Sequence, residues 1–249
     1  EEHTMSDIKP VHTNKKNYTL LLISVLSVFF FSISYSARYC IAEDKSSIKG
    51  SLFPIHTQSS QAITEEMLDI IVEACDQSLS KKIENQLFSF KTGGYYVEKG
   101  IFVPTRIKDP NVLTAFNKVL KPGVRFLDLG SGDGRVVFLA SLFGAASTGI
   151  EFDEDIFNSS LKARDKLSNR FDLSKTELIR GDFFEADFSG YDVIYYFMSG
   201  SFEEKRLEEK LVKELKQGAM LVGYIEHEAF KELLSVGRIG KRITVYKKR

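Results

Sequence analysis

The 249-residue sequence predicts an α/β fold: a mostly parallel sheet between helices, preceded by an N-terminal transmembrane helix and a small helical extension. Three observations lead to this prediction. From Val124 onward, strand-like and helix-like segments alternate, which is typical of a parallel sheet covered on both faces. Residues 17–37 carry no formal charge. A composition of 43% hydrophobic and 27% charged residues is typical of a folded protein rather than a disordered one.

The charge balance and the cysteine count exclude several function classes. The chain has 34 basic and 34 acidic residues, whereas nucleic-acid-binding domains usually carry a basic excess. Cys40 and Cys75 form no CxxC pair, and the four histidines are scattered. We therefore expect no nucleic-acid partner, no disulfide framework and no metal.

The uncharged run is long enough to cross a membrane. Its 21 residues would span roughly 31 Å as a helix, which matches the hydrocarbon core of a bilayer. We interpret residues 18–37 as a single transmembrane anchor that follows a tail, residues 1–17. A cleaved signal peptide is an alternative, because small residues such as Ser34 and Ala37 end the run. A buried core helix is the other.

A linker and a helical extension are expected between the anchor and the main domain. Residues 38–62, with their serines, Gly50 and Pro54, are predicted to be the linker, and residues 63–100 to form the extension with a short hairpin. One helix is predicted from Thr64 to about Phe90. Thr64 can cap it, and apolar residues recur at helical spacing: Met67, Ile70, Ile71 and Ala74.

The hairpin is predicted where YYV and IFV flank a Glu-Lys-Gly turn. A further helix is expected from Asp109-Pro110 to Leu120 in the main domain, residues 101–249. The predicted strands of that domain are VRFLDL, STGIEF, TELIRGDFF, YDVIYYFM and MLVGYIE, with two shorter ones near LLSVGRI and RITVYKK. The helical segments between them are RVVFLASLFG, DEDIFNSSLKARDKL and FEEKRLEEKLVKELKQG. In such sheets, ligands bind beyond the carboxyl ends of the strands.

A glycine-rich loop, DLGSGDGR at residues 128–135, directly follows the first of these strands. Its glycines permit a sharp turn, and it begins a helix whose free N–H groups favour an anionic or electron-rich ligand. The spacing is not that of a dinucleotide-binding loop. Asp128 could hold an ammonium group but would repel a pyrophosphate, so the loop indicates S-adenosylmethionine rather than NAD. The predicted cofactor contacts in the loop are Asp128, Gly130, Ser131, Gly132 and Gly134. Arg135 is interpreted as an exposed first-turn residue.

Two further acidic residues follow the next two strands. Glu151 ends the second strand, where a carboxylate can accept both ribose hydroxyls. Asp182 ends the third strand, where it can accept from the adenine amino group while Phe183 lies beside the ring. These three residues complete the predicted cofactor site.

These residues resemble the class I (seven-β-strand) S-adenosylmethionine-dependent methyltransferases. FLDLGSGDGR is similar to their first motif, GIEFD to the second and GDFF to the third, over roughly residues 101–249. A narrower resemblance rests on FVPT, DLGSGDGRVV, GIEFD, YDVIYYFM and LKQGAMLV. It is to a protein-lysine methyltransferase group of archaeal and mitochondrial enzymes, the latter acting on the ATP synthase c subunit and the adenine nucleotide translocase. Mitochondrial members also have an N-terminal hydrophobic segment.

The resemblance implies a Rossmann-like seven-stranded sheet and a site at its glycine loop. By motif, it also implies that Thr105 lies near the methionine end of the cofactor. Tyr195 and Tyr196 are further candidates near the transfer centre, because the fourth strand ends there; no catalytic residue is assigned. Phe102 and Phe197 depart from the group, since both stand where it commonly has tyrosine.

We therefore expect an S-adenosylmethionine-dependent methyltransferase that N-methylates a lysine of a membrane or membrane-associated protein. Its catalytic domain should face the cytosol or an equivalent matrix, because S-adenosylmethionine is made and kept inside cells. A small-molecule methyltransferase acting on a lipid or quinone precursor is one alternative. A non-catalytic, cofactor-binding membrane assembly factor is the other.

Overall fold

The computed structural model describes residues 62–89, 95–97, 100–197, 204–224, 230 and 232–248. The predicted N-terminal tail and anchor, and all of the predicted linker except its last residue, lie outside these ranges. Within the described ranges, no helix combines the length and the hydropathy that a membrane crossing requires.

The helical extension consists of two helices where the periodicity predicts one. Helix α1 spans Glu65–Asp76 and begins at Thr64, whose hydroxyl accepts from the N–H of Met67. Helix α2 spans Lys81–Ser89. The predicted single helix is wrong because serines compete for backbone groups at the break. The hydroxyl of Ser78 donates to the carbonyl of Ala74, and the N–H of Ile83 donates to the hydroxyl of Ser80.

The hairpin and the next helix form where they are predicted. Strands β1 (Tyr95–Val97) and β2 (Gly100–Phe102) pair antiparallel. Helix α3 spans Pro110–Val119 and is capped by Asp109, whose carboxylate accepts from the N–H of Asn111 at 2.8 Å. Proline in the first turn needs no hydrogen-bond partner there, which explains this start.

The main domain is a seven-stranded sheet of order β5-β4-β3-β6-β7-β9-β8. The strands are β3 (Arg125–Leu129), β4 (Ala146–Glu151), β5 (Thr176–Arg180), β6 (Val193–Phe197), β7 (Met220–Tyr224), β8 (Leu234–Ile239) and β9 (Ile243–Lys247). The helices between them are α4 (Arg135–Leu142), α5 (Glu154–Leu167) and α6 (Glu204–Glu214). Strands β3 to β7 pair parallel, and β9 runs antiparallel to both of its neighbours, β7 and β8. The prediction of a seven-stranded, mostly parallel sheet is therefore confirmed.

Alternate residues of the central strands enter two apolar cores, one on each face of the sheet. Phe126 and Tyr195 belong to the core that contains residues of α1, α3 and α4, whereas Leu127 and Ile194 belong to the core under α6. Because successive side chains on a strand point to opposite faces, Asp128 lies on the same face as Phe126. The register pairs Asp128 with Tyr195, so both residues stand side by side at the edge where β3 and β6 end.

Candidate functional site

A cleft opens at the carboxyl ends of β3, β4 and β6, the edge at which the sequence predicts a ligand. Its empty volume, including the part open to solvent, is about 1060 Å³. It is lined by Phe102, Val103, Thr105, Asp128, Leu129, Gly130, Ser131, Gly132, Asp133, Arg135, Val136, Glu151, Phe152, Asp153, Asp182, Phe183, Phe184, Tyr195, Tyr196 and Phe197. Every predicted site residue except Gly134 is among them.

The glycines of the loop differ in what surrounds them. Gly130 and Gly132 have φ angles of +73° and +57°, which L side chains rarely adopt. A Cβ at Gly130 would meet no protein atom within 4 Å, whereas one at Gly132 would lie 2.6 Å from the ring of Phe102. Gly134 instead caps α4 and lies against Phe138. The predicted cofactor contact at Gly134 therefore has no support from the geometry.

Three N–H groups of the loop, ahead of helix α4, are bonded within the protein. Those of Gly130 and Ser131 both donate to the carbonyl of Ile150, at 3.0 and 2.9 Å. The N–H of Gly132 donates to Oε2 of Glu151 at 2.9 Å. Strand β4 thus fixes the loop.

The carboxylate of Asp128 lies deep in the cleft. The residue is 3% exposed. Burial, together with the negative charges of Glu151 and Asp133, raises the pKa of Asp128 well above its usual range. A buried carboxylate in this position is stabilised by a cation, and the ammonium group of S-adenosylmethionine is of the right charge.

Glu151 is buried but already holds backbone donors. Its Oε1 accepts from the N–H of Asp153 at 2.8 Å, and its Oε2 accepts from that of Gly132. Burial raises the pKa of Glu151, and these backbone hydrogen bonds oppose the rise. The backbone of Phe152 also donates to Glu151. A carboxylate offers about four acceptor positions, so at least one remains for a hydroxyl group. This fits the predicted ribose contact.

Asp182 and Phe183 form the third part of the cleft, where β5 leads into a short 3₁₀ helix, Phe183–Glu185. The carboxylate of Asp182 accepts from the N–H of Phe184 at 3.0 Å. The rings of Phe183 and Phe184 lie 4.6 Å apart, and the guanidinium of Arg206 lies 3.9 Å from the centre of the Phe184 ring. A carboxylate beside an aromatic surface suits a flat ring that bears an amino group.

The three candidates for the transfer centre come together at the end of β6. The hydroxyls of Thr105 and Tyr195 share a hydrogen bond of 3.3 Å, and Tyr196 also lines the cleft. Burial raises the pKa of Tyr195 well above its usual range, and the charge of Asp128 adds to this effect. The phenol therefore stays protonated at neutral pH and cannot act as a general base. No histidine is among the described residues that line the cleft.

The expectation that Arg135 is an exposed first-turn residue is wrong. Its side chain is 8% exposed and lies beside the carboxylate of Asp133. Sequence reasoning gave no cofactor role to several aromatic lining residues, notably Phe102, Phe152 and Phe197. Phe152 could have been found, because it directly follows Glu151. Phe102 could not, because its contact with the loop depends on how the hairpin folds back.

Comparisons with known proteins identify a methyltransferase domain in this part of the chain. Residues 128–225 match a family model described as the ANTKMT methyltransferase domain, which confirms the resemblance to that methyltransferase group and, with it, S-adenosylmethionine as the cofactor. No curated protein sequence matches the chain.

Solved structures with similar folds include an RNA methyltransferase from Salinibacter ruber in complex with S-adenosyl-L-homocysteine. It is 29% identical, with a TM-score of 0.47, and the alignment covers 59% of this chain and 92% of that one. A mutant of MtNAS in complex with S-adenosylmethionine is 15% identical over 73% of each chain, with a TM-score of 0.48. A protein from Pyrococcus horikoshii is 16% identical over 58% of this chain and 90% of that one, also with a TM-score of 0.48.

Proposed function

We propose that this S-adenosylmethionine-dependent methyltransferase transfers its methyl group to a lysine amine of a membrane or membrane-associated protein. The observation that carries the proposal is the match of residues 128–225 to the ANTKMT methyltransferase domain, a domain of a protein-lysine methyltransferase family. The chemistry of the cleft and the apolar run near the N-terminus support it.

Different side chains of the cleft would bind different parts of the cofactor. Asp128 would hold the ammonium group, Glu151 the ribose hydroxyls, and Asp182 with Phe183 the adenine ring. When bound, the cofactor supplies a methyl group on a positively charged sulfonium. The protein's task is then to align a nucleophile with that methyl group and to exclude water.

The lining of the transfer end favours an amine as the nucleophile. A lysine must lose its proton before it can attack, and an apolar surrounding such as that of Tyr196 and Phe197 lowers a lysine pKa. Aromatic faces also attract the ammonium form on its way in. An alcohol acceptor would call for a base; the described lining holds no histidine, and burial keeps Tyr195 protonated by raising its pKa.

The N-terminal part of the chain supports an acceptor at a membrane. If residues 18–37 anchor the protein, the linker of about 25 residues has a root-mean-square reach of about 25–30 Å. The cleft would then be confined near the bilayer, at an effective concentration of roughly millimolar for targets there. Its domain would face the cytosol or an equivalent matrix.

The proposal can be tested with methyl-labelled S-adenosylmethionine. Cell membranes from a strain lacking the enzyme are incubated with the full-length protein or with an Asp128→Asn variant as the inactive control. We expect label on a lysine of a membrane protein with the native enzyme alone. Label on an extractable lipid or quinone would replace the lysine proposal with the small-molecule alternative. Binding of the cofactor without any labelled product would favour the non-catalytic assembly factor.

A further inference from the structure

We propose that helix α1 is part of the cofactor site, because Asp76 at its end positions the glycine loop through Arg135. This inference rests on the proposed use of S-adenosylmethionine and deepens it. It assigns a positioning role, not a catalytic one, to a residue outside the methyltransferase domain that the sequence predicts. Asp76 does not line the cleft; it acts on the loop through Arg135.

The guanidinium of Arg135 is held from two sides. Its Nε lies 3.0 and 2.9 Å from the two carboxylate oxygens of Asp133, a residue that is 1% exposed. One terminal nitrogen also donates to Oδ1 of Asp76 at 2.7 Å. Asp133 lies within the loop, between Gly132 and Gly134, so the pair with Asp76 joins the loop to α1.

A second contact joins the same two elements. The thiol of Cys75 donates to the carbonyl of Asp133 over 3.6 Å, a distance that is acceptable for sulfur. Ile71 and Ala74 of α1 belong to the same apolar core as Val136 of α4 and Ala163 of α5. The end of α1 is therefore fixed against the loop by packing as well as by charge.

Arg135 is linked to Asp128 through its partner Asp133. Asp133 is one of the two acids whose negative charge disfavours ionisation of Asp128. Burial works against a charged guanidinium, but Asp133 raises the pKa of Arg135, so Arg135 remains a cation beside it. With Asp76 in place, Arg135 is held where it offsets Asp133 and leaves Asp128 available for the cofactor's ammonium group.

The experiment compares three variants of the full-length protein with the wild type: Asp76→Asn, Asp76→Glu and Asp69→Asn. The side chain of Asp76 is 58% exposed, so its replacement should not prevent folding. Asp69 is the matched control, because it lies on the same helix and pairs with Lys108 at 2.8 Å, away from the loop. Calorimetry measures the affinity for S-adenosylhomocysteine, and thermal unfolding measures the stability of the ligand-free protein.

We expect Asp76→Asn to weaken S-adenosylhomocysteine binding at least about fivefold, with its Tm matching that of Asp69→Asn. Asp76→Glu should restore most of the affinity, and Asp69→Asn should bind like the wild type. Wild-type affinity in Asp76→Asn, or an equal loss in Asp69→Asn, would overturn the inference while leaving the methyltransferase proposal intact. Failure of the wild type itself to bind would overturn both.

Discussion

At the scale of single residues, the cleft contains a conflict between stability and function. Asp128 is a buried acid near two other acids, Glu151 and Asp133, whose charges and its own burial disfavour its ionised form. Such a group destabilises the ligand-free protein, and it is retained where a ligand compensates for it. The sequence showed that this acid should meet the cofactor, but not that three acids crowd together, because their proximity depends on how β3 and β4 pair.

Neutralising Asp128 should therefore stabilise the ligand-free protein and abolish cofactor binding. We expect Asp128→Asn to raise the Tm at neutral pH by at least about 2 °C, since roughly 1 kcal/mol shifts the Tm of a domain of this size by about 2–4 °C. Binding of S-adenosylhomocysteine should be lost in calorimetry. A lower Tm, or an unchanged affinity, would contradict this role.

The same variant should show a defined pH dependence. The folded pKa of Asp128 is raised, so the stability that the protonated form contributes is present at low pH and is lost as the pH rises through that pKa. The difference in Tm between Asp128→Asn and wild type should thus shrink on acidification. Asp172 is a control of opposite sign, because hydrogen bonds from Ser174 lower its pKa. Asp172→Asn should not raise the Tm at any pH.

A second test concerns the predicted contact between Glu151 and the ribose of the cofactor. If its carboxylate accepts both ribose hydroxyls, each lost hydrogen bond costs about 1.5–3 kcal/mol. Glu151→Ala should then weaken S-adenosylhomocysteine binding at least about tenfold. Glu154→Ala is the matched control, because its carboxylate pairs with Arg180 on the exposed surface. Equal affinities in the two variants would move the ribose contact elsewhere.

At the scale of elements, the predictions succeeded where one local signal decides the structure. The alternation of apolar runs and helical segments predicts strands β3 to β9 correctly. The single helix from Thr64 to Phe90 is wrong, because hydrogen bonds of Ser78 and Ser80 end one helix and begin the next. The placement of β2 over the glycine loop was not predictable, since the contact of Phe102 with Gly132 joins residues 30 positions apart.

Because only Gly132 contacts β2, substitutions at Gly130 and Gly132 should have different effects on stability. An alanine at Gly130 or Gly132 is strained by a positive φ, at a cost of about 1–2 kcal/mol. Only Gly132→Ala also pushes against the Phe102 ring, so it should lose more stability than Gly130→Ala in chemical denaturation. Adding Phe102→Leu to Gly132→Ala should cost less than the sum of the single changes. Additive losses would mean that the ring moves aside freely.

At the scale of the whole molecule, the sheet brings together residues that are distant in the sequence. Because β3, β4 and β6 run parallel, their carboxyl ends meet at one edge, and this much follows from the predicted alternation. The strand order β7-β9-β8 and the Asp76–Arg135 pair do not follow from it, because they depend on packing between segments far apart. The sequence therefore predicts where the site lies, but not that α1 supports it.

Deletions test this organisation. Removing residues 1–42 should leave S-adenosylhomocysteine affinity unchanged, because the cleft is built from residues between Phe102 and Phe197. It should reduce methylation of the cellular target more than that of a soluble surrogate. Removing residues 1–80 takes away α1 and should abolish binding in calorimetry. Equal affinity in the two truncated proteins would show that α1 is dispensable.

The predicted anchor has its own test. Carbonate-washed membranes should retain the native protein at full length, since a membrane-spanning helix resists extraction at high pH. A mature form that starts between about Ala37 and Glu43 would instead establish a cleaved signal peptide.

The two hydrogen bonds that the Ile150 carbonyl accepts from the loop also have a kinetic consequence. Gly130 and Ser131 make these bonds within the protein itself, so no loop has to be ordered when the cofactor arrives. The rate of association should then follow ligand concentration linearly in stopped-flow experiments, without the plateau that a slow closing step produces. Differences in affinity among variants of the cleft would appear as different rates of cofactor release. Turnover would then be governed by how long the demethylated product stays bound.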